Sequence, residues 1–92
     1  VTDAIRRTVT IANERGLHAR ASAKFVSAAQ MFEASVRVRR GQEVVDASSI
    51  MDLLMLAAGP GSEIEIEARG PEADAALAAL CGLVESKFGE AS

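Results

Sequence analysis

Glu63-Ile64-Glu65-Ile66-Glu67-Ala68-Arg69 alternates charged and apolar side chains without a break. A period of two is that of a strand with one face in a core and the other in water, the pattern of an antiparallel sheet covered on one side only. Gly70-Pro71 punctuates this strand. Beyond it Ala73, Ala76, Leu77, Leu80, Cys81, Val84 and Phe88 recur at i, i+3, i+4 and i+7 behind a first turn carrying Glu72 and Asp74. That spacing predicts an amphipathic helix closed by Gly89.

Near the start of the chain Val9 and Ile11 alternate with Thr8 and Thr10 as a first strand, ended by Asn13 to Gly16. From 19 to 32 there is no breaker, and Ala21, Phe25, Ala28, Ala29 and Phe32 keep helical spacing. Val36 and Val38 open a hairpin that turns at Arg40-Gly41-Gln42 and returns over 43–46; Asp46 to Ser49 is a loop. Ser49 and Asp52 ahead of Leu53, Leu54 and Leu56 have the form of a capping box with Asp in place of Glu, opening a helix of about two turns that Gly59-Pro60-Gly61 stops. The order is strand, helix, strand, strand, helix, strand, helix. Four short strands with one apolar face need one cover, and three amphipathic helices supply it. The expectation is an α+β fold, a two-layer open-faced sandwich of a four-stranded antiparallel sheet and three helices, with residues 1–92 as one domain.

Composition narrows the function classes. Three Phe, no Trp and no Tyr leave little to stack bases, so no nucleic-acid partner is expected. No uncharged run approaches the roughly 20 residues that span a bilayer, so no membrane partner is expected either. Cys81 is the single cysteine and has no disulfide mate, and no basic-then-apolar leader precedes the first strand, which fits a reducing cytoplasm. The chain opens on Val1 rather than Met, as processing or trimming would leave it. Residues 1–40 hold eight basic and three acidic side chains, whereas the rest holds two basic and ten acidic. Such a split either steers an acidic partner to the first half or solvates separate faces.

One constellation carries chemistry. His18, the only histidine, stands in Gly16-Leu17-His18-Ala19-Arg20 where the first loop meets the first helix. A helix start presents amides without intrahelical partners and the positive end of the macrodipole, an anion site in waiting. Gly16 permits a tight turn or a positive φ, and Arg20 supplies a planar cationic fork for phosphate oxygens. Imidazole, cation and free amides together suit a group that takes up a phosphoryl unit and returns it. Arg20 and the helix start both disfavour a charged ring, so a neutral nucleophile is expected. A metal site, needing three or four ligands, is not supported, and a Ser–His hydrolase finds only loose candidates. The plainer alternative is an ordinary helix-start histidine beside a solvated Arg20.

At these residues the chain resembles the histidine-containing phosphocarrier proteins (HPr) of the bacterial phosphoenolpyruvate-dependent phosphotransferase system, over about Ile5 to Phe88. The family signature runs Gly, aliphatic, His, small, Arg, usually Pro, small, small; here it reads Gly16-Leu17-His18-Ala19-Arg20-Ala21-Ser22-Ala23. A second stretch, Ala47-Ser48-Ser49-Ile50-Met51, is similar to the family's regulatory serine region. Leu53-Leu54-Met55-Leu56 and the stretch Ile64 to Pro71 look closer to the nitrogen-related branch (NPr) than to the sugar-uptake branch. The resemblance implies a carrier that needs no cofactor and is not itself an enzyme. His18 would receive phosphate on Nδ1 from an Enzyme I-type phosphotransferase and pass it to an EIIA-type acceptor. Arg20 would steady the phosphoryl group, with the backbone of Ala19, Ala21 and Ser22 as further donors. Ser49, or Ser48 beside it, would be the site of an HPr kinase, and Ile50, Met51 and Leu54 part of the partner surface.

Some features depart from the pattern or read two ways. Ala21 replaces the usual proline, restoring an N–H at some loss of rigidity. Arg15 either adds a second cation near the phosphate or faces water, with water slightly favoured. Ser49 serves equally as a plain helix N-cap. Ile50, Met51, Leu54 and Met55 are too many apolar residues for one buried stripe of so short a helix, so some are expected on the surface. A carrier also calls for a shallow, open site and fits a monomer; a ring buried with both nitrogens bonded to protein would speak against it. The alternatives are a sugar-uptake carrier, a non-carrying regulatory module switched by serine phosphorylation and, third, an enzyme with its own small-molecule substrate.

Overall fold

The fold was obtained as a computed structural model, which describes residues 3–92. Its elements run β1 (Ile5–Thr10), α1 (Ala19–Ala29), β2 (Ser35–Arg40), β3 (Glu43–Asp46), α2 (Ile50–Met55), β4 (Glu63–Arg69) and α3 (Ala73–Glu85), followed by a 3₁₀ turn at Lys87–Gly89. The strands form one antiparallel sheet in the order β1-β4-β2-β3. The alternating strand β4 is thus an inner one. Its register sets Ile64 opposite Val9, Ile66 opposite Val38 and Ala68 between Ile5 and Val36 on the covered face. The helices lie over that face, α3 against β1 and β4, and α1 against α2 and α3. Phe25, Leu53, Ile64, Ile66, Leu80, Val84 and Phe88 are fully buried between the layers.

On the open face part of the charge split is met strand against strand. Glu67 of β4 lies between Arg6 of β1 and Arg37 of β2, and Glu65 lies opposite Arg39. Arg6 Nε reaches Glu67 at 3.0 Å and Glu65 at 3.9 Å, and Arg39 Nε reaches Glu65 at 3.7 Å. The topology interleaves basic strands from the first half of the chain with an acidic strand from the second. Arg6 and Arg39 therefore meet acids within the sheet, and Glu65 and Glu67 are more than a solvated face.

Helix ends differ from the expected ones for local reasons. α1 stops at Ala29 rather than Phe32, because Met31 N–H and Phe32 N–H turn to carbonyls three residues back and tighten the last turn. α2 stops before Gly59-Pro60-Gly61, with Ala57 at φ 52° in the left-handed position usually left to glycine. α3 ends at Glu85 rather than Gly89. Phe88 keeps the helical spacing, yet it enters the core from a left-handed turn in which Lys87, Phe88 and Gly89 all have positive φ. Pro71 lies ahead of the N-cap Glu72.

Candidate functional site

The site begins with a close backbone approach. Gly16 has φ +67°, and a Cβ there would stand 2.6 Å from the carbonyl oxygen of Ala58. Only glycine allows the loop to lie against the segment that follows α2, where Leu17 N–H donates to Ala58 O at 2.9 Å. Leu17 is buried and anchors the loop, so the next residue, His18, is held at the mouth of α1.

His18 is the N-cap of α1, its backbone extended and its ring doing what a Ser or Asp oxygen does elsewhere: Nδ1 accepts from Arg20 N–H at 3.2 Å. On the other side Nε2 lies 2.5 Å from Glu90 Oε2. Since Nδ1 is an acceptor, the ring proton sits on Nε2 and is donated to the carboxylate. Glu90 Oε1 in turn accepts from Asn13 Nδ2 at 3.1 Å, and the same amide group donates to Gly16 O at 2.8 Å. Asn13 is wholly buried, and its Oδ1 has no partner among the described residues. Hydrogen bonds from His18 and then from Asn13 hold the Glu90 carboxyl below its usual range.

Around the ring lies a recess of about 330 Å³ lined by Glu14, Arg15, Arg20, Lys24 and the tail Gly89 to Ser92. Its far wall is tied down: Lys24 Nζ donates to Phe88 O at 2.7 Å and Ser92 Oγ donates to Glu14 at 3.0 Å. The tail makes the site less open than expected. The His18 side chain is 16% exposed, and both ring nitrogens have protein partners. The recess is still open to solvent, with three cations on its walls.

Placed in this frame, the residues singled out in the sequence separate. Arg20 is exposed and lines the recess beside His18, and Arg15, exposed as well, lines it too. The Ser22 amide, expected as a free donor, is not one: it makes the first helical bond, to His18 O at 2.8 Å, while its buried hydroxyl donates to Leu17 O. The donor aimed at the ring is the Arg20 amide instead, because His18 is the cap and not the first helical residue. Ala19 is exposed and Ala21 is buried in the first turn.

Ser49 caps α2, its Oγ accepting from Asp52 N–H at 3.2 Å, while Ser48 is exposed and its amide donates to Asp46. Ile50 and Met51 are exposed on α2; Leu54 is half-buried, and Met55, at 70% exposure, stands out in its place. Two residues of the site escaped the sequence reading. In the sequence Asn13 signals nothing beyond the end of a strand. Glu90 lies 72 residues from His18, so no local spacing links the two; the only sign was an acid directly after the closing Gly89.

Comparison with known proteins follows the same lines. The family model "PTS HPr component phosphorylation site" matches residues 5–86. The chain is 46% identical over 88 residues to the phosphocarrier protein NPr of Shewanella violacea, covering 96% of this chain and 97% of that one. It is likewise 46% identical over 86 residues to the phosphocarrier protein HPr of Cupriavidus necator, with 94% and 97% covered. Among solved structures, HPr-C-His from Thermoanaerobacter tengcongensis superposes with a TM-score of 0.91 at 38% identity, covering 96% of this chain and 99% of that one. Matched in sequence and fold along nearly its whole length, the chain belongs to the HPr family, the phosphocarriers of the phosphotransferase system.

Proposed function

We propose that residues 1–92 work as one monomeric domain in the cytoplasm, in which His18 takes a phosphoryl group on Nδ1 from an Enzyme I-type phosphotransferase and hands it to an EIIA-type acceptor. The observation that carries this reading is the orientation of Nδ1. Its lone pair points to the N-terminus of α1, and the ring lines a recess walled by Arg15, Arg20 and Lys24. As Nδ1 attacks, the bond from phosphorus to the donor's leaving atom breaks and its electron pair stays on that atom. The bond to Arg20 N–H, at the long end of the normal range, is then free to pass to a phosphoryl oxygen. The Ala19 and Ala21 amides sit in the same first turn, Arg20 answers the added negative charge, and the macrodipole adds to it.

Within the family we assign the chain to the nitrogen-related branch, a regulatory relay. An NPr relative supports this, while an HPr relative of equal identity keeps the sugar-uptake carrier as the alternative. Ile50 and Met51 on α2 serve as the docking surface. Ser49, or the more exposed Ser48, serves as the target of an HPr kinase, where added charge at the α2 start changes docking and leaves the fold intact.

The test is phosphorus NMR after incubation with phosphoenolpyruvate and an active Enzyme I-type protein. Wild type is expected to show a phosphoramidate signal and His18→Ala none; equal labelling of the two removes the assignment. A second reading, a regulatory module that carries nothing, draws on the protein partners at both ring nitrogens. It requires that His18→Ala bind and affect the downstream regulator as wild type does.

A further inference from the structure

The His18 to Glu90 contact joins the start of α1 to the segment that follows the 3₁₀ turn, and the ring's capping role does not require it. Glu90 is held for this contact from several sides. Phe88 is sunk in the core, three successive residues at positive φ turn the chain back toward α1, Lys24 clamps the Phe88 carbonyl, and buried Asn13 grips the second carboxylate oxygen. Two bonds to one carboxylate, one of them from a fully buried amide, describe a built arrangement rather than a loose tail.

We propose that Glu90 is a positioning residue for phosphoryl transfer, its carboxylate keeping the ring proton on Nε2 while Nδ1 forms and breaks its bond to phosphorus; the inference rests on the carrier reading. When Nδ1 bonds to phosphorus the ring becomes a cation if Nε2 keeps its proton, and the anion 2.5 Å away offsets that charge. When the phosphoryl group leaves, the N–P electron pair returns to Nδ1 and the leaving group is neutral imidazole. Without the Nε2 proton the leaving group would be imidazolate, a far stronger base and a poorer leaving group. The carboxylate is fit for this role because His18 and Asn13 keep it ionised. The other charged groups around the ring are Glu14 and Arg15 from the loop and Arg20 and Lys24 from α1; none of these four is hydrogen-bonded to Nε2.

The experiment compares full-length wild type, Glu90→Gln and Glu90→Ala. Imidazole nitrogen-15 spectra of the lone histidine read the tautomer directly. Wild type is expected in the Nε2–H form, with the Nδ1–H form gaining in both variants. Each protein is then phosphorylated with phosphoenolpyruvate and an Enzyme I-type protein, and release of phosphate is followed by phosphorus NMR across pH. In both variants release is expected to slow about tenfold on the alkaline side, the factor that one unit of differential proton affinity gives, and to match wild type on the acid side. A glutamine that keeps the tail folded but loses the charge separates this role from a structural one. Superimposable profiles, or an unchanged tautomer in Glu90→Ala, overturn the role of Glu90 and leave the carrier reading standing. A wild type that takes up no phosphate overturns both.

Discussion

At the scale of single residues, the site depends on positions where little else fits. Gly16→Ala would drive a methyl into Ala58 O and put a side chain on a left-handed backbone. The expected loss is about 1–3 kcal/mol in urea unfolding, with weaker phosphoryl uptake as His18 loses its seat; a variant of wild-type stability would mean that the loop has another way past α2. Asn13 is the other sensitive point. Asn13→Asp replaces the donor to Gly16 O and Glu90 with a carboxylate, setting two anions together in a buried site. It should cost about 1–3 kcal/mol or more at neutral pH, and less in acid, where protonation restores a donor. Equal midpoints at both pH values would show that the amide donor is dispensable.

At the scale of elements, α2 and the tail show how short pieces are held. α2 has six residues, too few to be stable alone, and relies on Ser49 as cap and Leu53 as anchor. Ser49→Ala should cost about 1 kcal/mol and speed amide exchange in α2 while sparing α3; uniform exchange across both helices would show that the cap has no local effect. The tail hangs on Phe88. Phe88→Ala should cost about 3–5 kcal/mol and release Glu90, so its histidine nitrogen spectrum should approach that of Glu90→Ala. These elements also show where periodicity misleads. Phe88 keeps the i+4 spacing from Val84, and a turn of left-handed residues satisfies that spacing as well as a continued helix. Ala57 stops α2 where a glycine would have announced the stop.

At the scale of the molecule, the sheet joins charges that lie far apart in the chain. Glu65→Lys sets a third cation beside Arg6 and Arg39. The loss should be at most about 1 kcal/mol at low salt and shrink as salt rises, since the arginines are half exposed; a salt-independent loss would point to packing instead. Buried Cys81 supplies a pH dependence. Burial raises its thiol above the usual value, although Arg7 pulls the other way. The unfolded chain therefore ionises first, so stability is fully present below about pH 8.5 and declines as pH rises toward the native value. Cys81→Ala should flatten that alkaline decline in urea midpoints.

The strand alternation of Glu63 to Arg69, the helical spacings, the turn at Gly41 and the cap at Ser49 are local properties, and local sterics and burial dictate them within a few residues. They sufficed for the α+β sandwich, and the motif around His18 for the family. Which elements exist and where a histidine meets a helix start depend on neighbours along the chain, and so are legible there. The partners of that histidine and of Arg6 and Arg39 are set in three dimensions. Glu90 reaches His18 from a turn anchored by buried Phe88, and Arg6 meets Glu67 because β4 lies between β1 and β2. Such contacts span 60 residues or more, and they exist only once the core has closed and brought distant segments together.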